Sequence, residues 1–168
     1  MLCSGGASIL RRMPAARKAA WTIAVAEGPV SVVADRVVSA LVAGAAAVLT
    51  WKLSGVAPDS RGHGTHEQFG MDPCGWPEVY GVPCPTCGCT TAAAQVVHGD
   101  LVGAFVTQPF GAAVAVVGLL AGLHALACLL RARSFVDALV RLPFWWICAG
   151  MFALLWVAWG YKYLVWEG

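Results

Sequence analysis

Charged side chains are scarce in this chain: Asp, Glu, Lys and Arg make up 12% of its 168 residues, where a soluble domain carries about 25%. That shortage excludes a water-covered globule, because too little polar side chain is left to face solvent. Basic clusters interleaved with aromatics are missing and the net charge is only +2, so nothing invites a nucleic acid. There is no internal repeat or low-complexity tract. No Ser-His-Asp order, phosphate-binding loop or pair of carboxylates at a defined spacing is found, so no acid–base machinery is legible. His66-Glu67 follows His63, but a zinc protease needs His-Glu-x-x-His on a helix, and the order here differs. What the chain has in abundance is oil: 59% of it is hydrophobic, with eight tryptophans.

Three apolar runs are long enough to cross a bilayer, whose ~30 Å hydrocarbon core takes about 20 helical residues. They are Val32 to Leu53, Phe110 to Leu130 and Phe144 to Trp166. Asp35 and Arg36 sit one turn inside the first, and Lys162 lies near the end of the third. Spanning segments must satisfy their own backbone groups, so each is expected to be helical. The expected fold is an all-α membrane protein with three transmembrane helices, an outer cysteine-containing loop and short interfacial helices.

Basic residues set the expected orientation, since inside loops hold the excess of Lys and Arg. Arg11, Arg12, Arg17 and Lys18 precede the first run, and Arg131, Arg133 and Arg141 lie between the second and third. The segment between the first two runs has Arg61 against Asp59, Glu67, Asp72, Glu78 and Asp100. This pattern divides the chain into a cytoplasmic tail (1–31), a first span (32–53), an outer segment (54–109), a second span (110–130), a cytoplasmic loop (131–143) and a third span (144–166). The apolar piece Ala19 to Ala26 ends in Ala-Val-Ala. It is barely as long as the core of a signal peptide and reads as part of the tail. The expected location is a membrane crossed with the N-terminus on the cytoplasmic side, with the lipid bilayer as surroundings and a membrane protein as the partner class.

Of seven cysteines, Cys84, Cys87 and Cys89 lie within six residues, in Gly81-Val-Pro-Cys-Pro-Thr-Cys-Gly-Cys-Thr-Thr91, and Cys74 lies ten positions before Cys84. An outer location lets disulfides form and persist. Three chemistries suit the pattern. As a metal knuckle, the Cys84-x-x-Cys87 turn points two sulfurs at one ion, Cys74 is the third ligand, and Cys89, His66 or His63 completes a tetrahedral zinc site. As a redox pair opening a helix, Cys84 attacks, Cys87 resolves and Cys74 relays, with the helix dipole lowering the first thiol's pKa. As a staple, Cys74 closes a loop by a disulfide to Cys84, Cys87 or Cys89. Metal or staple is preferred over thiol–disulfide exchange, and with it a non-catalytic structural or assembly role. Cys3, Cys128 and Cys148 read as ordinary small apolar residues.

Between Ser54 and Cys84 the sequence shows no helical period and reads as an ordered loop. Helix is expected to resume after Gly88, with Thr90 and Thr91 suited to capping, and to stop near Gly99. Asp100 is suited to cap a second short helix, Leu101 to Gln108. Pro109 then fits the first turn of the next span.

The string Gly64-Thr-His-Glu-Gln-Phe-Gly70, then Pro73-Cys74, the cysteine stretch through Ala92, Gly99 and Gln108-Pro109-Phe110 resembles a family of small bacterial integral membrane proteins of undetermined function. Its hallmark is Cys-Pro-x-Cys-Gly-x-Thr-Arg with an upstream cysteine about ten residues earlier and an Asn/Gln-Pro entering a hydrophobic helix. The resemblance covers roughly Gly64 to Leu130. It implies correspondence for Cys74, Cys84, Pro85, Cys87, Gly88 and Thr90. Thr91 stands where many members have arginine, and Cys89 and His98 fall at variable positions. The resemblance implies the architecture and the three-cysteine site, and no activity.

Three further features have structural explanations. His124, inside the second run, is suited to reach the interface or bond a neighbouring helix. Trp145, Phe152, Trp156, Trp159, Tyr163 and Trp166 share a helical face, and interfacial aromatic belts account for those near its ends. Gly118-Leu-Leu-Ala-Gly122 allows close packing against Ala43-Gly-Ala-Ala-Ala47.

Overall fold

The computed structural model describes residues 31–166; the expectations for the tail, its processing and Cys3 lie outside the described residues. The described chain is all-helical, as expected. Three helices are long and apolar enough to cross a membrane: α1 (Val32–Ser54), α5 (Pro109–Leu130) and α7 (Phe144–Leu164). They give the chain the make-up of a multi-pass membrane protein in a lipid environment. Four shorter helices complete the set: α2 (Gly75–Tyr80), α3 (Cys89–Val97), α4 (Leu101–Thr107) and α6 (Phe135–Val140), with a 3₁₀ turn at Thr65–Phe69. Residues 55–108, between α1 and α5, gather at one end of the spans as a cap, with α3 and α4 packed along the first turns of α5.

Ser31 starts α1 by accepting a hydrogen bond from the Ala34 N–H at 3.2 Å. Helices α1 and α5 then pack side by side, a contact permitted by small residues. A Cβ at Gly122 would collide with Ala46, whereas Gly118 has no neighbour within 4 Å. Only the second glycine of the small-residue pattern therefore makes the contact. At the other end of the bundle, Asp35 explains its place inside a span. Its carboxylate accepts hydrogen bonds from the Ser134 hydroxyl (2.9 Å) and the Val136 N–H (2.8 Å), fixing the start of α6. Arg36 donates to the Leu129 carbonyl at 2.8 Å, satisfying a group at the end of α5. His124 sits 3.7 Å from the Cys128 sulfur and stacks near Phe135 at 5.9 Å, a packing role between α5 and α6.

Several local expectations need correction. The stretch from Ser54 to Cys84 is not free of helix: it holds the 3₁₀ turn and α2. Each ends in a left-handed glycine, Gly70 or Gly81, and each is too short to print a hydrophobic period. The same brevity hides α6 in the connection between the second and third spans. Neither Thr90 nor Thr91 caps α3; the cap is Gly88 at φ 89°, and the helix has begun by Cys89. Asp100 does cap α4, accepting from the Gly103 N–H at 2.8 Å, and Pro109 opens α5.

Candidate functional site

The cap is organised from its turns outward. Gln68 folds the chain after α1 back on itself, accepting from the Ala57 N–H (3.2 Å) and donating to its carbonyl (2.7 Å). Thr65 lies buried at the start of the 3₁₀ turn. Its hydroxyl accepts from the Asp59 N–H at 2.9 Å and meets the buried Thr91 hydroxyl of α3 at 2.8 Å. Arg61 bridges Asp59 (2.8 Å) and Glu67 (3.1 Å). The Arg61 hydrogen bond holds the Asp59 carboxyl below its ordinary range, and the two carboxylates in turn raise the Arg61 guanidinium.

The cysteine turn is a tight backbone knuckle. The Cys87 N–H donates to the Cys84 carbonyl and the Cys89 N–H to the Thr86 carbonyl, each at 3.0 Å. Gly88 follows in the left-handed region, where glycine avoids the Cβ penalty. A Cβ there would also lie 2.6 Å from the Gly62 carbonyl oxygen. The position therefore requires glycine for both conformation and space.

Two spans, α5 and α7, grip the knuckle. Trp159 of α7 donates its indole N–H to the Pro83 carbonyl at 2.9 Å. Gln108, fully buried at the head of α5, donates to the Pro85 carbonyl at 3.2 Å and accepts from the Phe110 N–H at 3.1 Å. Lys162, buried in the last turn of α7, reaches the Gly62 carbonyl at 3.2 Å. Behind the knuckle, Gly111 lets α5 approach the Cys89 backbone; a Cβ at 111 would come within 2.6 Å of the Cys89 Cα.

In front lies a cleft of about 440 Å³ whose walls include Cys74, Cys84, Cys87, His63, His66 and Glu78. Cys89 is not on the cleft wall; its Cα and Cβ face Gly111 of α5. His63 is held by a tilted ring contact with Trp166 at 4.8 Å and by a 3.0 Å contact with the Arg61 carbonyl. Cys74 and Cys87 each feel the Cys84 thiol as a neighbour. Burial, with Cys84 and Cys74 adding to it, pushes the Cys87 thiol up to about 12, and Cys87 is only 6% exposed. Burial likewise raises Cys74, and it pushes Cys89 up to about 11 with help from Cys84. No disulfide joins the six described cysteines in this structure. Among the described residues no three His, Cys, Asp or Glu side chains form a ready-made metal centre.

The Cys84–Cys87 turn precedes α3 rather than opening it, because the helix begins at Cys89. Sequence reading did not find the partners that hold the knuckle: Thr65 with Thr91, Gly62 with Lys162, and Trp159 with Pro83. Lys162 carried the one available signal, a cation inside an apolar run.

A family model described as a protein of unknown function (DUF2752) matches residues 74–122. The match begins at the upstream cysteine, takes in the knuckle, α3 and α4, and ends at the glycine that seats α5 on α1. No curated protein and no solved structure matches the chain. Over these residues the chain is therefore similar to an uncharacterised family.

Proposed function

We propose that the protein is a non-catalytic component of a bacterial cytoplasmic membrane, with its N-terminus inside and the cap outside. The cysteine knuckle is a structural clamp that joins the spans and gives the cap a fixed surface for a membrane protein partner. One observation carries this reading: the carbonyls on either side of Cys84, those of Pro83 and Pro85, are held by α7 and by the head of α5 respectively. A knuckle gripped from two spans is built to stay still. The charge pattern supports the orientation, since Arg131, Arg133 and Arg141 lie at the end away from the cap, while the cap's Arg61 is neutralised by two carboxylates.

The clamp is closed by Cys74, Cys84 and Cys87, in one of two ways. Three thiolates with a histidine are a suitable donor set for zinc, which takes four Cys or His ligands in structural sites; Cys89, packed on α5, leaves the fourth place to His66 or His63, both on the cleft wall. The other closure is a disulfide from Cys74 to Cys84 or Cys87, stabilising by about 2–4 kcal/mol. The intact mass of the purified protein under native, non-reducing conditions, before and after chelator and reductant, separates them. A chelator-sensitive metal with the three cysteines protected from alkylation establishes the zinc clamp, and a gain of two hydrogens on reduction establishes the staple. Metal-free protein with three freely alkylated thiols sinks both. A mixed disulfide trapped by Cys87→Ser but not by Cys84→Ser would install the membrane thiol–disulfide oxidoreductase in place of the clamp, with Cys84 attacking and Cys87 resolving.

A further inference from the structure

Helix α4 turns an apolar face outward. Leu101, Val102, Phe105 and Val106 are all exposed, Val102 at 77%. With Pro109 and Tyr161 they line a groove of about 520 Å³. We infer that this face is a lipid-contact surface, so that the α3–α4 hairpin lies against the membrane with α4 touching acyl chains.

Four observations point to lipid as the occupant. The groove is continuous with the spans, since Pro109 is the first residue of α5 and Tyr161 lies in the last turn of α7. The hairpin lies beside α5 rather than above it: Ala92, Val96 and Ala104 pack with Ala112, and Ala115 and Val116 join them two turns into α5. Residues 89–109 hold one charged side chain, Asp100, which is spent on capping the exposed end of α4. The free carbonyl of Val106 near the other end of α4 accepts the Tyr161 hydroxyl at 2.8 Å. In water such a carbonyl needs no protein partner. Against hydrocarbon it does, because no solvent is there to bond it.

A protein partner fits less well, since six side chains fall far short of the roughly 20–30 residues per side of a stable interface. This surface is independent of the knuckle and of how its cysteines are closed.

The test uses the full chain in lipid nanodiscs, with p-acetylphenylalanine at position 102 carrying a ketone-reactive nitroxide, which leaves the cysteines untouched. Position 105 is labelled as a second site, and position 72, an exposed polar loop residue, as the water reference. Collisions with dissolved oxygen are expected to exceed those with a nickel chelate at 102 and 105, and the ratio to invert at 72. Nickel-dominated relaxation at all three sites would put α4 in water and overturn the inference. Protection from both reagents at 102 and 105 would mean that a protein covers the face, and would overturn it equally.

Discussion

The two joints that hold the spans together are made in opposite ways. Helices α1 and α5 meet along a seam of small residues, with Gly122 seated against Ala46. Helix α7 carries Phe144, Trp145, Trp146, Phe152 and Trp156 exposed to its surroundings and is tied at its cap end by Trp159, Tyr161 and Lys162. Lipid tails are as apolar as leucine, so helices in a bilayer associate through close packing or polar bonds rather than by escaping solvent. A glycine–alanine seam supplies the first. Helix α7, studded with indoles, packs on α5 less extensively than α1 does and is held chiefly by the second, and the acceptors it uses belong to the cap. The seam therefore depends on shape, and the α7 joint depends on the cap keeping its fold.

Perturbations should divide along the same line. The largest effect is expected from Gly122→Leu, which forces a side chain into Ala46. Overpacking of this kind costs up to about 3 kcal/mol, and the thermal midpoint in detergent should fall accordingly while α7 keeps its bonds to the cap. Gly88→Ala should cost about 2 kcal/mol through its left-handed backbone alone, and the approach to the Gly62 carbonyl adds to this. Unlike Gly122→Leu, it should make Cys84 and Cys87 alkylate faster, read by mass spectrometry of the folded protein. Trp159→Phe keeps the ring and removes the N–H, so the loss should be about 1 kcal/mol, again on the α7 side only.

The smallest effect concerns acid. The Arg61 hydrogen bond holds the Asp59 carboxyl below its unfolded value near 3.8. Its contribution is therefore complete above that pH and is lost as pH falls through the lower folded value. Asp59→Asn should flatten this acid limb in a denaturation series and lower stability at neutral pH by the same small contribution. A variant with an unaltered acid limb would show that the Arg61 cluster has no part in holding the cap.

The division between seam and cap also marks what was legible in the sequence. Composition and uninterrupted apolar runs reveal the spans because a bilayer imposes its thickness on every crossing segment. Asp100 and Pro109 announce their helix starts because capping is chemistry between near neighbours. Asp35 reads only as a charge intruding on a span, since the Ser134 and Val136 that it bonds lie about a hundred residues away. Lys162 and Gly62 are equally distant in sequence. The 3₁₀ turn, α2 and α6 escape notice because five or six residues cannot show a period of 3.6. Within the site, spacing alone left Cys89, His66 and His63 equal as companions of the three cysteines. Packing sets Cys89 apart, since it faces Gly111 of α5, while His63, against Trp166, and His66 both line the cleft.

The central claim is that the knuckle clamps α7 to the rest of the bundle, and a distance measurement tests it most directly. Nitroxides on p-acetylphenylalanine at positions 52 and 164, the exposed cap-side ends of α1 and α7, would report their separation by pulsed dipolar spectroscopy in nanodiscs. The account predicts one narrow distance in the unmutated background. It predicts a broad distribution in Cys74→Ala and in whichever of Cys84→Ala and Cys87→Ala removes a closing sulfur, both of them under zinc closure and one under disulfide closure, with the α1–α5 distance between labels at 41 and 126 unchanged in all. A narrow 52–164 distance that survives in all three folded variants would contradict it, and the knuckle would then be no clamp.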